Sequence, residues 1–347
     1  MNAESNRKLF SATQEQTVDP LPPSAARVPG SWKEAFWASP GPRSIKEAAL
    51  LSVKGLCMGS ADIIPGVSGG TIALVTGIYE NLLRAIRSID LNVARALMRL
   101  DFKAALAQFH LRFLLALFSG IGLAILSLAR VINFLLHNQP VLIWSLFFGL
   151  ISASIWVVGR KAEPWNPVRW LVFALGAVGG FWIVNLIPMS TPEQLWFVFL
   201  SGLIAICAMI LPGISGAFIL LILGKYEFIT ATLRNPFQPE NLLILSVFCT
   251  GCLCGLLAFS RVLNYLLDRY RASTLACLTG VMAGSLQKIW PWKEVLETRI
   301  IHEKSHVIWG GNVLPGAVDR EFWLALVLAA AGFALVIILE TISRENR

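Results

Sequence analysis

Charged residues are scarce in this chain of 347 residues: they make up 14% of the sequence, whereas hydrophobic residues make up 56%. A soluble globular domain usually carries about 25% charged residues, so the composition excludes an ordinary soluble protein. Most of the chain is therefore predicted to lie in membrane-spanning segments. The formal net charge of +8 is dispersed over loops, which indicates membrane orientation and contact with anionic lipids rather than binding to nucleic acid.

Cysteine and histidine are few, and neither is arranged as a metal site requires. The six cysteines lie in apolar stretches, which indicates small packing residues and no disulfide framework. Among the four histidines, residues 302–306 read His-Glu-Lys-Ser-His and fit the H-E-x-x-H pattern of zinc proteases. That chemistry needs both histidines on one helix face and a third ligand, whereas the flanks here resemble a short hairpin within a loop at 288–320. The sequence therefore predicts neither a metal nor another cofactor.

The first 44 residues lack the apolar core of a signal peptide. They are polar and contain six prolines. We interpret residues 1–44 as a disordered tail without a function of its own, in which Ser31–Trp37 is expected to rest on the membrane surface.

An internal repeat dominates the rest of the chain. The segment Gly55–Glu80 returns as Gly202–Glu227 at a constant offset of 147, and 13 of the 26 aligned positions are identical. At an offset of 131, the first apolar span behind each copy also matches, including Arg130 and Arg261. Chance does not produce this agreement, so the chain contains two copies of one unit.

Each copy contains a break in an apolar run. Pro65-Gly66 and Pro212-Gly213 form the breaks, because proline cannot continue a helix and glycine allows the chain to turn. Ser68 and Ser215 follow, and they are expected to cap the helices that restart there. Each copy is therefore predicted to be a helical hairpin. Its arms of roughly 15–18 residues are shorter than the ~20 residues that cross a membrane, which favours a re-entrant hairpin over two full spans.

The helices that restart behind the breaks form a predicted anion site. Their unpaired N–H groups lie at the positive end of the helix dipole, which attracts anions. In a membrane such a broken backbone is tolerated only where protein or a water-filled cavity covers it. Paired broken segments are also the best sequence indication of a transporter's binding site. The predicted anion-binding positions are Ser68, Gly69, Gly70, Thr71, Ser215 and Gly216.

Arg130 and Arg261 each stand in the C-terminal third of an apolar span. Placing Arg in a membrane helix costs roughly 2.5–3.5 kcal/mol on insertion scales, which favours a function. A guanidinium group also contacts phosphate through two parallel hydrogen bonds. The alternative is that both side chains reach to the lipid head groups. Repetition of Arg-Val-x-Asn in both copies favours the functional interpretation.

Three carboxylates accompany the hairpins. Asp62 precedes the first break, and its counterpart in the second copy is Met209. A carboxylate in lipid is either a coupling site for H⁺ or Na⁺ or a cap that holds the turn, and the sequence leaves both open. Glu80 and Glu227 end the two copies, either as structural caps and anchors or as ligands.

Three apolar spans follow each hairpin, and a basic amphipathic helix is predicted at 88–110 in the first unit. Because each unit crosses the membrane an odd number of times, the second is inverted relative to the first, and the positive-inside rule places both termini in the cytoplasm. The predicted fold is an all-α polytopic membrane protein with two inverted-topology repeats, residues 45–189 and 190–347, each a broken re-entrant hairpin plus three transmembrane helices. The predicted spans are Leu111–Leu136, Val141–Val158, Trp170–Ile187, Leu242–Leu267, Thr274–Ile289 and Phe322–Leu339.

The first hairpin contains the runs Gly-Ser-Ala-Asp and Pro-Gly-Val-Ser-Gly-Gly-Thr between residues 59 and 71. With these runs it resembles the signature of the PopT-type polyprenyl-phosphate (undecaprenyl phosphate) translocases, a bacterial membrane family. The resemblance covers about residues 45–343 and leaves out the proline-rich tail. It implies undecaprenyl phosphate, the lipid carrier of cell-wall and surface-polymer synthesis, as the substrate, returned from the outer to the inner leaflet of the cytoplasmic membrane. The anion-binding positions and the two arginines would then contact its phosphate.

Two alternatives stay open from the residues. A transporter or channel for a small soluble anion would use the same helix N-termini and arginines. A membrane enzyme acting on a lipid phosphate would need a nucleophilic His or Asp beside basic residues in the external loops, which the four scattered histidines do not provide.

Overall fold

The computed structural model describes residues 31–64, 67–89, 91–189, 191–301 and 304–345. Among these described residues, nine helices precede the second copy of the repeat: α1 Trp32–Ala38, α2 Ile45–Asp62, α3 Gly69–Val75, α4 Tyr79–Arg87, α5 Leu91–Met98, α6 Phe102–Gln108, α7 Leu111–Asn138, α8 Pro140–Lys161 and α9 Pro167–Val184. Within the same described ranges, the second part contains α10 Leu195–Ile210, α11 Gly216–Ile222, α12 Tyr226–Thr232, α13 Pro239–Arg269, α14 Arg271–Ser285, a 3-10 turn Leu286–Ile289, strands β1 Lys293–Ile301 and β2 Lys304–Asn312, and α15 Arg320–Glu345.

In the described part of the chain, five helices are long and apolar enough to cross a membrane: α7, α8, α9, α13 and α15. They coincide with five of the six predicted spans. The sixth, predicted at Thr274–Ile289, consists of the 15-residue α14 and the 3-10 turn behind it, and α14 is shorter than a membrane span requires. The protein is thus a mostly helical membrane protein, to which β1 and β2 add one small sheet.

Each predicted hairpin contains one more break between helices than the sequence indicates. The return arm was expected to be one helix, but α3 and α11 have 7 residues each and end before Gly77 and Gly224. These glycines have φ of 73° and 63°, a left-handed conformation that ends a helix and that glycine adopts without steric cost. A new helix, α4 or α12, begins two residues later. The single return arm was therefore a wrong prediction.

Two other sequence expectations are corrected before the first span. The amphipathic helix predicted at 88–110 is two helices, α5 and α6, because Leu100 has a φ of 57° and Asp101 caps α6 by accepting a 3.1 Å hydrogen bond from Ala104 N. The predicted tail 1–44 contains the helix α1 at Trp32–Ala38, capped by Ser31. Residues 1–30 lie outside the described residues.

The segment between α1 and α2 is held by Arg112, at the start of α7. The buried guanidinium group donates from Nε to Ser39 O at 2.8 Å and from Nη1 to Pro42 O at 3.1 Å. It also lies over the Trp37 ring at 5.1 Å. These contacts fix the approach of the chain to the first hairpin.

The first arm of each hairpin packs on the first long span of the same half: α2 on α7, and α10 on α13. Both contacts are made where glycine allows two helix backbones to approach. A Cβ at Gly55 would overlap Leu117 O, and a Cβ at its counterpart Gly202 would approach Phe248 O. The packing therefore repeats at the level of single residues.

The other two major pairs cross between the halves. The third span of each half packs on the second span of the other half: α9 on α14, and α15 on α8. Gly149 in α8 leaves no room for a Cβ against Ala329 O, and its counterpart Gly280 in α14 leaves none against Phe173 O. The two halves are thus interleaved rather than separate.

The β-hairpin marks one end of the helix bundle, which we call the β-hairpin end. The N-terminal half of α8 reaches it through Phe148, whose ring lies 5.4 Å from that of Trp290. The start of α15 reaches it through Phe322, whose ring lies 5.9 Å from that of Trp292. α14, by contrast, ends there. The equivalent helices α8 and α14 therefore run in opposite directions relative to this end.

The hairpin suggested by the flanks of the His-Glu-Lys-Ser-His run is confirmed. β1 and β2 are antiparallel, with Thr298 opposite Val307 and Arg299 opposite His306. His302 and Glu303 lie outside the described residues. Because His306 lies in a strand, the run does not have the helical geometry of the zinc-protease motif.

Candidate functional site

The two helix breaks contact each other, and we call this contact the break junction. Gly213 N donates to Thr71 Oγ1 at 2.9 Å, and Tyr79 OH donates to Ile210 O at 3.0 Å. Ser68 Oγ adds a longer bond to Leu211 O at 3.3 Å. Pro65 and Gly66, predicted to form the first break, lie outside the described residues. The structure thus brings Ser68 and Thr71 of the first copy into contact with Leu211 and Gly213 of the second.

The break junction is buried and asymmetric. Ser68, Thr71 and Tyr79 are at most 2% exposed, whereas Tyr226, the counterpart of Tyr79, is 42% exposed. Gly213 has a φ of 90°, and a Cβ there would overlap Ser285 Oγ and Met282 in α14. The second break is therefore enclosed by α14 as well as by the first hairpin.

Asp62 occupies the N-terminus of α3. Its Oδ1 accepts a 2.7 Å hydrogen bond from Gly69 N, and a Cβ at Gly69 would overlap the carboxylate. The first N–H group predicted to bind an anion thus holds a carboxylate of the chain itself. This geometry matches the capping interpretation of Asp62.

The two serines behave differently. Ser215 caps α11 as predicted, with its Oγ accepting from Phe218 N at 3.4 Å, a long bond. Ser68 makes no side-chain cap bond to α3, because Asp62 takes that role and the Ser68 hydroxyl donates to Leu211 O. Gly70 and Gly216 lie buried in the first turns of α3 and α11.

Arg130 and Arg261 are both exposed. Arg261 donates to Leu257 O in its own helix at 2.7 Å and to Ile89 O, just beyond α4, at 3.1 Å. Its contacts are therefore with backbone carbonyl groups, one in its own helix and one just beyond α4. The structure does not bring either arginine into hydrogen-bond contact with the described part of the break junction.

The carboxylates of Glu80 and Glu227 have different surroundings. Glu80 forms an ion pair with Arg271 at the start of α14, with 2.5 Å between Oε1 and Nη2. Arg87 and Asp268 form a second pair at 3.7 Å. Both connect α4 to the region where α13 ends and α14 begins, whereas Glu227 is exposed. Glu80 thus acts as an anchor in this structure.

Two cations beside the hairpins were not identified from the sequence. Lys54 donates to Thr76 O at the end of α3 at 2.8 Å, and the buried Lys225 donates to Thr191 O at 3.0 Å. Each could have been found in the sequence as a lysine within an otherwise apolar hairpin. Lys54 complements the negative end of the short helix α3.

Two further lysines lie at the β-hairpin end, within the loop that the sequence suggests is solvated. Lys288 Nζ lies 4.6 Å from the Phe218 ring centre, and Lys293 Nζ lies 4.5 Å from that of Trp144. Lys293 Nζ also donates to Lys288 O at 2.5 Å. Burial, and then the charge of Lys288, lower the pKa of Lys293 to about 8. These lysines bring positive charge to the second hairpin.

A groove of about 390 Å³ lies between α2, α4 and the start of α7. Arg84, Asn81, Glu47 and His110 contribute to its lining. The Nδ1 atom of His110 is buried without a hydrogen-bond partner among the described residues. Burial, and then the nearby Arg84, lower the pKa of His110, so its ring is neutral near pH 7.

Comparison with known proteins agrees with a membrane transporter. A family model described as undecaprenyl phosphate translocase-like matches residues 58–307. A protein named polyprenyl-phosphate transporter from Vibrio cholerae is 44% identical over 295 residues, which cover 83% of this chain and 94% of the relative. One of the same name from Staphylococcus aureus is 28% identical over 309 residues, or 85% and 96% of the two chains. No solved structure matches. The chain therefore belongs to the undecaprenyl phosphate translocase-like family.

Proposed function

We propose that this protein moves undecaprenyl phosphate from the outer to the inner leaflet of the bacterial cytoplasmic membrane, which returns the carrier to cell-wall and surface-polymer synthesis. The observation that carries this proposal is the break junction, where buried hydroxyl groups of one hairpin bond backbone groups of the other. Family membership and the names of both relatives support the substrate.

The chemistry of the substrate explains why such a junction suffices. An unpaired phosphate in hydrocarbon would cost tens of kcal/mol by Born arguments, while the polyprenyl chain remains in lipid throughout. The protein therefore needs a polar passage for the head group alone. The hydroxyl and amide groups at the break junction are suited to that role.

We infer that residues 45–189 and 190–347 are two units of inverted topology. Two observations support this: the glycine contacts of α2 with α7 recur in α10 with α13, and α8 and α14 run in opposite directions relative to the β-hairpin end. The positive-inside rule then places both termini and α4 on the cytoplasmic side. In such transporters the two units exchange conformations around one central site.

Head-group binding requires the break junction to open. Thr71, Gly213 and Gly69 use their polar atoms on other parts of the chain, so these bonds must exchange for bonds to phosphate. In the open state we assign the phosphate to Ser68–Thr71 of the first unit and Ser215 and Gly216 of the second. Arg130 and Arg261 then serve the head group near the two membrane surfaces. Asp62, with its carboxylate beside the site, is the candidate for coupling to H⁺ or Na⁺.

The cytoplasmic gate is inferred from the ion pairs of α4. Glu80–Arg271 and Arg87–Asp268 join the first hairpin to the second unit. By the offsets of the repeat, the counterparts of Glu80 and Arg271 are Glu227 and Pro140, and those of Arg87 and Asp268 are Arg234 and His137. Neither counterpart pair joins an acidic to a basic side chain as the first-unit pairs do, so the same two ion pairs cannot form in the second unit. The conformation described here is thus closed at α4.

The experiment is leaflet transfer of labelled undecaprenyl phosphate in liposomes that contain the purified full-length protein. Wild type and Thr279→Val, whose hydroxyl bonds Leu275 O in its own helix, should transfer the lipid. Thr71→Val, Arg130→Gln and Arg261→Gln should each slow transfer by about tenfold or more, the effect of losing one charge-assisted contact. A folded wild type that transfers no lipid, with or without an ion gradient, and instead transports soluble phosphate would overturn the proposal.

A further inference from the structure

We propose that Lys288 and Lys293 form a binding site for a phosphate monoester head group at the β-hairpin end of the bundle. The proposal rests on the proposed function, because it gives the substrate of the break junction its first contact on the external side. The shared chemistry is a phosphate group with a single ester bond or none, so the experiment separates lipid phosphate from free phosphate.

The two ammonium groups have unused hydrogen-bonding capacity. Each ammonium has three N–H donors, yet within the described ranges Lys293 makes one hydrogen bond, to Lys288 O, and Lys288 makes none. Neither lysine takes part in an ion pair between described residues. Glu294, the next residue after Lys293, is exposed, whereas Lys293 is partly buried.

The two lysine side chains are held in place by their packing and are not free surface side chains. Both lysines are partly buried, and each ammonium lies against an aromatic face, Phe218 or Trp144. Two like charges that lie close together and are partly shielded from water repel each other. An arriving dianion removes that repulsion and uses the free donors, so it is the ligand that this arrangement favours.

An independent observation in the same turn also indicates an acceptor ligand. Gln287 Nε2, immediately before Lys288, is buried without a hydrogen-bond partner among the described residues. A buried amide donor without an acceptor costs about 1–3 kcal/mol, so it is normally paired. A phosphate oxygen is an acceptor of the kind that the amide lacks.

The two lysines lie next to the break junction. Lys288 lies one turn beyond Ser285, which touches Gly213 of the second break. Phe218, beneath Lys288, is the third residue of α11. A head group held by the lysines would therefore stand beside the second hairpin, with α14 between this site and the ion pairs of α4. A 15-residue helix is about 22 Å long, so the two ends of α14 correspond to opposite sides of the junction.

The test measures binding to the full-length protein in lipid nanodiscs, with farnesyl phosphate and inorganic phosphate as separate probes. Lys288→Gln and Lys293→Gln should each weaken farnesyl phosphate binding by about tenfold or more, since a charge-assisted contact is lost. Lys288→Arg and Lys293→Arg should retain binding within about threefold, because guanidinium also binds phosphate. Arg320→Gln removes an exposed charge at the same end and is the matched control. Equal binding by folded Gln variants and wild type would overturn the site.

A second measurement does not depend on how the variants fold. In wild type, farnesyl phosphate should protect Lys288 and Lys293 from acetylation by an amine reagent, as read by mass spectrometry, while exposed Lys46 stays reactive. Absence of protection at saturating probe would overturn the site. Tighter binding of farnesyl phosphate than of inorganic phosphate identifies the lipid head group as the ligand, and equal binding identifies free phosphate; both confirm a phosphate site.

The outcome is separable from that of the proposed function. Binding that requires the lysines, without any lipid transfer by wild type, would confirm this site and contradict the translocation proposal. Transfer and binding that are both unchanged in the Lys→Gln variants would contradict this site and leave the translocation proposal standing.

Discussion

At the scale of single residues, Asp62 combines a structural role with a proposed functional one. Its carboxylate caps α3 through Gly69 N. Asp62→Asn keeps an oxygen that accepts this bond but removes the charge, whereas Asp62→Ala removes both. We expect Asp62→Ala to lower the free energy of unfolding by about 0.5–2 kcal/mol, the usual effect of losing a cap, and Asp62→Asn to lower it less.

Transport separates the two roles of Asp62 further. If the residue couples transfer to H⁺ or Na⁺, Asp62→Asn in liposomes loses the response to an imposed ion gradient although its thermal unfolding in detergent stays close to wild type. A gradient response equal to that of wild type would contradict ion coupling through Asp62 and leave the cap as its role.

Lys293 gives the proposed phosphate site a pH dependence. Its pKa of about 8 lies below the ordinary lysine value of about 10.4, so its positive charge is lost as pH rises through about 8. We expect farnesyl phosphate affinity to fall between pH 7 and pH 9, a range in which a phosphate with a second pKa near 6 stays a dianion. Bound phosphate favours the protonated amine, so the midpoint in the complex lies higher.

The matched variant for this pH dependence is Lys293→Arg, because a guanidinium group stays charged throughout this range. Its affinity should fall less than that of wild type from pH 7 to pH 9 in the same nanodisc titration, because only Lys288, whose pKa burial also lowers, still titrates. The same decline in both proteins would show that another group titrates.

Residue-scale inference from sequence was right for some positions and wrong for others. Ser215 was predicted to cap its helix and does so, whereas Ser68 was predicted to cap and does not. The difference is Asp62, which has Met209 as its counterpart and displaces the serine from the cap. Lys288 and Lys293 were missed because their burial depends on Phe218 and Trp144, which are distant in sequence.

At the scale of helices, glycine decides how the bundle packs. Gly149 and Gly280 lie where a Cβ would overlap a carbonyl oxygen of the partner helix. Gly149→Val and Gly280→Val should each lower the free energy of unfolding by about 1–3 kcal/mol or more, because the helix pairs must separate. Thermal unfolding of the purified protein in detergent measures this change.

The chain supplies a matched control for these substitutions. At Gly179 in α9 and Gly122 in α7 an added Cβ meets nothing within 4 Å. Gly179→Val and Gly122→Val should therefore leave the unfolding temperature nearly unchanged. Equal destabilisation at all four positions would show that helix propensity rather than backbone contact is responsible.

The sequence predicted helices better than it predicted their ends. Five predicted spans coincide with long apolar helices, since hydropathy over about 20 residues is a strong signal. The divisions at Gly77 and Gly224 were missed because a glycine inside an apolar run is compatible with a continuous helix. The break at Leu100 was missed because a non-glycine residue rarely has positive φ.

At the scale of the whole molecule, the ion pairs of α4 define the movement that the proposed mechanism requires. Linking residues 87 and 268 in Arg87→Cys/Asp268→Cys, with the native cysteines replaced, by a bifunctional thiol reagent should stop lipid transfer. Cleaving the linker should restore it. The comparison is Ser52→Cys/Ser119→Cys, where the native hydroxyls are 3.0 Å apart within the pair α2 and α7. Transfer that continues in linked 87/268 protein would contradict a gate at α4.

The repeat was readable from the sequence, but the pairing of helices was not. Offsets of 147 and 131 predicted two units, and the same glycine contacts recur in both. That α9 packs on α14 and α15 on α8 depends on close contacts between particular small residues and backbone carbonyls. Hydropathy and periodicity do not specify the partner of a helix.

The interleaving of the two halves also determines how the protein is made. α9 is inserted into the membrane roughly 100 residues before its partner α14, a delay of about 5–20 seconds at ordinary rates of synthesis. α8 is without its partner for longer, until α15 has been synthesised. The glycine faces of α8 and α9 are uncovered meanwhile. A nascent chain that stops before Arg320 would therefore present an unfinished surface to the quality-control proteases of the membrane.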